Sequence, residues 1–198
     1  PTPLGNRGDI TLRALEALRE AEVIACEDTR RTWPLLEFYG VTGKKLVACH
    51  EHNEDAATGR ILAELNQGKR VAVVSDGGTP ILSDPGFRLA RAAREAGLPV
   101  TVLPGPSACV TALIASGMPV ASFTFRGFPP RKPGRLAKLL QAESESGHTQ
   151  IFYESPQRVG RLLAAAVQSF GPARRVAICR EMTKLHEEIR TGTLAELA

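Results

Sequence analysis

Ser75-Asp76-Gly77-Gly78-Thr79-Pro80-Ile81-Leu82-Ser83-Asp84-Pro85-Gly86 follows directly on the apolar run Val71-Ala72-Val73-Val74. A short β-branched run without polar alternation reads as a strand buried on both faces, the pattern of a parallel sheet. A glycine-rich turn at its carboxyl end lies where open α/β sheets bind ligands. Glycine lets the backbone take positive φ and approach a ligand closely, and the flanking prolines restrict the loop. A second such turn, Leu103-Pro104-Gly105-Pro106-Ser107-Ala108, follows the run Val100-Thr101-Val102. Either turn alone is more simply a tight βα connection; two on successive strands favour a ligand cleft. Neither matches GxGxxG or a Walker A loop, and no lysine follows the glycines to hold phosphates. Asp76 and Asp84 instead suit a ligand with a positive centre, such as an amino group or a sulfonium.

Working outward, apolar runs at residues 23–26, 46–49 and 100–103 read as further strands, and amphipathic stretches at 9–21 and 54–66 read as the helices between them. Asp84 as N-cap with Pro85 behind it predicts a helix ending at Gly97. This βαβα order predicts an α/β domain with mainly parallel strands. The helix starting at Pro106 stops near Gly117-Met118-Pro119, where a second run begins. There, residues 123–128, 150–153 and 175–179 read as strands, with helices over 132–142 and from Ser155-Pro156 to Gly171-Pro172. The expected domains are therefore 1–118 and 119–198. A strand is expected ahead of Pro1, and residues 191–198 read as the start of a further element.

The 198 residues are 43% hydrophobic and 23% charged, an ordinary globular balance. No run approaches the roughly 18 apolar residues of a membrane span, and the first residues show no export signal. Cys26, Cys49, Cys109 and Cys179 match neither a CxxC pair nor a disulfide framework, which predicts a reduced, cytoplasmic protein. The net charge of +4 is uneven. Residues 1–117 carry 13 basic and 14 acidic side chains, and residues 118–198 carry 12 and 7. Such asymmetry points to a polyanionic partner, with uneven surface charge as the plain alternative.

Several motifs stand in order along the chain: Pro3-Leu4-Gly5-Asn6-Arg7-Gly8-Asp9-Ile10-Thr11, Glu27-Asp28-Thr29-Arg30, His50-Glu51-His52-Asn53-Glu54, the two glycine turns, Phe152-Tyr153-Glu154-Ser155-Pro156 and Arg180-Glu181-Met182-Thr183-Lys184-Leu185-His186-Glu187-Glu188. Together they closely resemble the small-subunit ribosomal RNA methyltransferase branch of the tetrapyrrole (class III) methylase superfamily. The resemblance spans essentially the whole chain. It implies two α/β domains with S-adenosyl-L-methionine in a cleft between them, and usually a homodimer. It also implies methyl transfer to the ribose 2′-hydroxyl of a cytidine in the decoding region of 16S rRNA, as naked RNA or within the small ribosomal subunit. Among tetrapyrrole methylases the first turn commonly reads Gly-Asp-Pro; here it reads Gly78-Thr79-Pro80, which argues against a porphyrinoid substrate.

By position, Gly77, Gly78, Thr79 and Pro80 match the family's first cofactor turn, and Pro104, Gly105, Ser107 and Ala108 its second. Pro3 falls in the loop that approaches the cleft, and Phe152 and Tyr153 match a strand end on the adenosine side; core burial explains the two aromatics equally well. A ribose hydroxyl is a poor nucleophile, so transfer benefits from a base or a cation that favours the alkoxide. Lys184, Glu181 and Glu154 are candidates, each weighed against a surface salt bridge. Glu27, Asp28 and Arg30 follow a strand end and line the same region. If the strand runs on through His52, His50 and His52 share one face, yet no third ligand follows at a convincing spacing, so no metal site is expected. Residues 126–138 hold Arg126, Arg131, Lys132, Arg135 and Lys138 with no acidic residue, and Phe128 is placed to stack on a base. This loop is the expected RNA contact. Two other readings remain open: a methylase of tetrapyrroles or other small molecules, and a non-catalytic RNA-binding module of ribosome assembly.

Overall fold

The computed structural model describes residues 1–198, which divide into two compact units, Pro1–Ser107 and Ala108–Ala198. In the first unit, β1 (Val23–Cys26), β2 (Lys45–Ala48) and β3 (Val71–Val74) form a parallel sheet in the order β2-β1-β3. Successive residues of a strand face opposite sides, and β1 uses both. Ile24 and Cys26 pack with Leu18 of α1 (Leu12–Glu20) and Leu36 of α2 (Thr29–Phe38). Val23 and Ala25 pack with Ala57 and Ile61 of α3 (Glu54–Asn66) and Leu89 of α4 (Phe87–Glu95). All four β1 residues are buried, which is why the run lacks polar alternation. Apart from α2, the order α1, β1, α2, β2, α3, β3, α4 is the expected α/β alternation.

Three local expectations are corrected. Residues 100–103 form no strand, because no neighbour pairs with them, and Val102 is 69% exposed. An apolar run becomes a strand only where a partner takes its N–H and C=O groups. The helix after the first glycine turn is capped by Gly86 (φ 118°), not Asp84. The Glu54 carboxylate of α3 accepts from both Gly86 N–H and Arg88 N–H at 2.9 Å, so a distant side chain does the cap's work. Finally, residues 29–38 form a helix that the apolar pattern does not announce. Asp28 caps it by accepting from Arg30 N–H at 2.9 Å, while the internal Pro34 masks its pattern.

The second unit is mixed. It opens with α5 (Ala108–Ala115), followed by β4 (Phe123–Phe125), which pairs in parallel with β5 (Thr149–Ile151) across α6 (Pro133–Ala142). After α7 (Pro156–Phe170), β6 (Arg175–Arg180) and β7 (Glu188–Thr193) form an antiparallel hairpin. The hairpin runs into the short α8 (Leu194–Leu197), closed by a Thr193–Glu196 capping box. The core gathers Leu136 and Leu140 of α6, Leu163 and Ala166 of α7 and Leu194 of α8. A smaller cluster joins Cys109 and Leu113 of α5 to Ile151 of β5. A cavity of about 1210 Å³ runs through this unit, bordered by β5, β6 and α5.

Candidate functional site

In the first unit three segments converge at the carboxyl end of β3. Thr2 and Gly78 exchange two backbone hydrogen bonds, each of 2.9 Å, and Thr2 Oγ1 donates to the Ser75 carbonyl at 2.9 Å. Thr79 Oγ1 donates to the Pro106 carbonyl at 2.8 Å, which ties the first glycine turn to the second. A Cβ on Gly77 would stand 3.4 Å from the Pro3 carbonyl oxygen, and one on Gly105 only 2.8 Å from Pro1 Cβ. Gly105 is thus required in part by the N-terminal segment, whereas a Cβ on Gly77 would make only ordinary contact with it. Gly78 adopts φ 88°, in the left-handed region where a side chain is strained. Ile81 (φ 77°) and Ser83 (φ 67°) take the same region without being glycine. Pro80 follows Thr79 in this loop, and Pro104, Ser107 and Ala108 follow the course of the second turn into α5.

The charges here are mainly negative. Asp76 is held by Arg31, 3.0 Å away, and accepts from Asp28 N–H at 3.3 Å. The Arg30 guanidinium grips both oxygens of Asp28, which drops that carboxyl to about 2. Asp84 has no ion-pair partner. Burial, reinforced by the charges of Glu27 and Asp76, pushes its pKa up to about 6. Glu27 is raised for the same reasons, burial first and Asp76 second. A half-buried carboxylate whose charged neighbours are also acidic favours a cation beside it. Exposed backbone at Gly77 and Gly105 completes a setting that fits an amphiphilic ligand with a sulfonium or ammonium centre. Glu27 follows β1, Arg31 lies in the first turn of α2 and Asp76 follows β3, and only the fold brings the three together.

Beyond β2, His50 and His52 approach edge to face with ring centroids 6.1 Å apart. His50 Nδ1 is buried without a hydrogen-bond partner, and no group of three or more His, Cys, Asp or Glu side chains is arranged to hold a metal ion.

The second unit carries the other candidates in separate places. Phe152 packs on the helical core, whereas Tyr153 meets Phe125 and Phe128 edge-on at 4.8 and 5.7 Å. Glu154 is ion-paired with Arg158 at 2.9 Å and accepts from Ser155 N–H, so its charge already holds the start of α7. Lys184 and Glu181 form an accessible ion pair at 3.2 Å in the β6–β7 connection. Of the five cations in 126–138, Arg126 is engaged with Glu143, whose other carboxylate oxygen accepts from Gln150 at 2.8 Å. Arg131, Lys132, Arg135 and Lys138 are exposed around the start of α6, and none forms an ion pair. Phe128 is exposed beside them in sequence.

The model of the tetrapyrrole (corrin/porphyrin) methylases matches residues 1–198. A ribosomal RNA small subunit methyltransferase I of Mesorhizobium japonicum is 49% identical over 197 residues, covering 100% of this chain and 67% of that protein. The protein of the same name from Escherichia coli O157:H7 is 45% identical over 197 residues, covering 100% of this chain and 68% of its own length. Among solved structures, the methyltransferase CobJ superposes with a TM-score of 0.74 at 23% identity, over 98% of this chain and 84% of its own. A uroporphyrin-III-C-methyltransferase from Thermus thermophilus reaches 0.67 at 25% identity, over 99% and 84%.

Proposed function

The chain belongs to the tetrapyrrole methylase family, and from that premise we propose that it transfers a methyl group from S-adenosylmethionine to the ribose 2′-hydroxyl of a cytidine in the decoding region of 16S rRNA. The observation that carries this reading is full-chain identity near one half to proteins named for the small-subunit rRNA, against 23–25% to the tetrapyrrole enzymes of similar fold. The exposed, unpaired cations at the start of α6 support a polyanionic substrate.

S-adenosylmethionine, when bound, supplies a methyl group activated on a positively charged sulfur. Gly77 and Gly105 offer backbone to it, with Pro3, Gly78, Thr79, Pro80, Pro104, Ser107 and Ala108 shaping the two turns. Asp84 and Asp76 supply the negative field that favours the sulfonium. Transfer of that methyl group to the 2′-oxygen, with the carbon–sulfur electron pair left on sulfur, would require the hydroxyl to give up its proton. Lys184 and Glu181 are the pair assigned to that proton and to the developing alkoxide. Glu154 is the least suited of the three candidates, because Arg158 already neutralises it. Arg131, Lys132, Arg135 and Lys138 hold the RNA backbone, with Arg126 bracing the loop through Glu143. The protein works in the cytoplasm as a homodimer, a state that sedimentation measures directly.

The test is incubation with labelled S-adenosylmethionine and small ribosomal subunits lacking the modification, followed by nuclease digestion. Label in 2′-O-methylcytidine is expected. Cofactor binding without transfer to any RNA would favour a small-molecule methylase, and absence of cofactor binding a non-catalytic RNA module.

A further inference from the structure

Glu27 stands directly after β1, the middle strand in the order β2-β1-β3. The chain leaves β1 for β2 on one side and then crosses to β3 on the other, so the carboxyl ends of β1 and β3 flank the crevice where sheets of this order hold ligands. The first glycine turn follows β3, and Glu27 faces it from β1. The Glu27 side chain is half-buried, forms no ion pair and accepts no hydrogen bond. Charged groups approach it from every neighbouring element. Asp76 and Asp84 lie after β3, Glu51 after β2, and Asp28 and Arg31 at the start of α2. The cations of α2 are already engaged, Arg30 with Asp28 at 2.7 Å and Arg31 with Asp76 at 3.0 Å. Burial first, and the Asp76 charge second, raise the Glu27 carboxyl above its ordinary range. Glu27 is thus an unengaged carboxylate, set among acidic groups, beside the turn that serves the methyl donor.

We infer that Glu27 is the catalytic carboxylate that receives the proton of the 2′-hydroxyl. The inference deepens the rRNA methyltransferase reading above and rests on it. The attacking oxygen must line up with the methyl carbon, so the group that takes its proton has to stand beside the methyl donor. Asp84 and Asp76 form the field assigned to the sulfonium, and both act on or are acted on by Glu27. Glu181, by contrast, is held by the Lys184 ammonium at 3.2 Å, and a carboxylate beside a cation is the weaker proton acceptor. A carboxylate without a cation of its own, among other carboxylates, is the stronger one. The hydroxyl proton passes to a Glu27 oxygen as the 2′-oxygen takes up the methyl group. The carbon–sulfur electron pair stays on sulfur, and Glu27 returns the proton to water. Of the two duties given to the Lys184–Glu181 pair, the proton then falls to Glu27 and the developing alkoxide stays with Lys184.

The test is single-turnover methylation of small ribosomal subunits lacking the modification, from about pH 5 to about pH 9. Cofactor and subunits are kept saturating, which removes the effect of Asp84, whose carboxyl at about 6 acts on cofactor binding. The wild-type rate should fall as pH drops through the Glu27 range and level off above it, because only the ionised carboxylate accepts a proton. Glu27→Gln, which keeps the side chain's shape, should slow transfer about a hundredfold and abolish that pH dependence, with cofactor affinity and circular dichroism unchanged. Glu27→Asp, which keeps the carboxylate on a shorter stem, should retain the pH dependence at a reduced rate. Asp76→Asn should move the fall to lower pH, since the Asp76 charge helps to raise Glu27. A wild-type pH dependence in Glu27→Gln overturns the inference, and so does a folded Glu27→Asp that has lost it. Lost cofactor affinity in Glu27→Gln overturns it in favour of a role in holding the cofactor. No transfer by the wild-type protein at any pH sinks the transferase reading, and the inference with it. Transfer indifferent to Glu27 sinks the inference alone.

Discussion

At the scale of single residues, Asp84 shows how position changes a side chain's chemistry. In an unfolded chain its carboxyl titrates near 3.8; in the folded unit, burial and the nearby Glu27 and Asp76 move it to about 6. A raised carboxyl means that the folded state binds more protons than the unfolded state between these values. Its contribution to stability therefore falls as pH rises from about 4 to about 6 and stays low above that. Asp84→Asn removes the titration. The variant should gain on the wild type across this window by on the order of 1 kcal/mol, a value discounted because the group is partly solvated. Urea unfolding of both proteins at pH 4, 6 and 8 measures it. A stability difference that stays constant over the three pH values would show that Asp84 titrates normally. Gly105 teaches a related lesson: a Cβ there meets Pro1, so a valine at this position perturbs the N-terminal segment as well as any ligand.

At the scale of elements, α6 carries the clearest surface prediction. Its buried side is Leu136 and Leu140, and Pro133 opens its first turn. Arg131, Lys132 and Arg135 around that opening are exposed and without ion pairs. Each phosphate contact should add roughly 0.7 to 0.9 to the slope of log affinity against log salt. Replacing the three together should flatten the slope by about two units while leaving cofactor affinity unchanged, measured by RNA titration across a salt series. An unchanged slope would move the RNA to Arg30, Arg31 or the 174–184 segment. Arg126 is left out of this set because Glu143 holds it, so its removal acts on the fold of the loop.

At the scale of the molecule, the two units differ in what they contribute to the proposed reaction. The glycine turns lie at the strand ends of the Pro1–Ser107 unit. A ligand that binds only the folded state adds RT ln(1 + [L]/Kd), about 2.7 kcal/mol at a hundredfold excess over Kd. Saturating S-adenosylmethionine should therefore raise the melting temperature, as differential scanning calorimetry would record. No shift at millimolar cofactor would mean that the protein does not bind it, the outcome that favours a non-catalytic RNA module.

The sequence by itself determined much of the α/β alternation of the first unit, because β1 is buried on both faces and β3 packs against the cores on both sides, so both carry uninterrupted apolar runs. It determined the two glycine turns for a local reason as well, since positive φ and close backbone approach select glycine directly. It also made the family legible, through motifs spread along the whole chain. What it left undetermined depended on partners distant in sequence. Residues 100–103 look like a strand, and only the absence of a pairing neighbour prevents one. Glu54 caps α4 from 32 residues away, where the local pattern offered Asp84. Arg126 reads as a free cation until Glu143, 17 residues on, is folded against it. Hydrophobic pattern and turn chemistry are properties of neighbouring residues and can be read in one dimension. Hydrogen-bond partners, ion pairs and the field that shifts Asp84 are set by distances in space, and only the tertiary structure decides those.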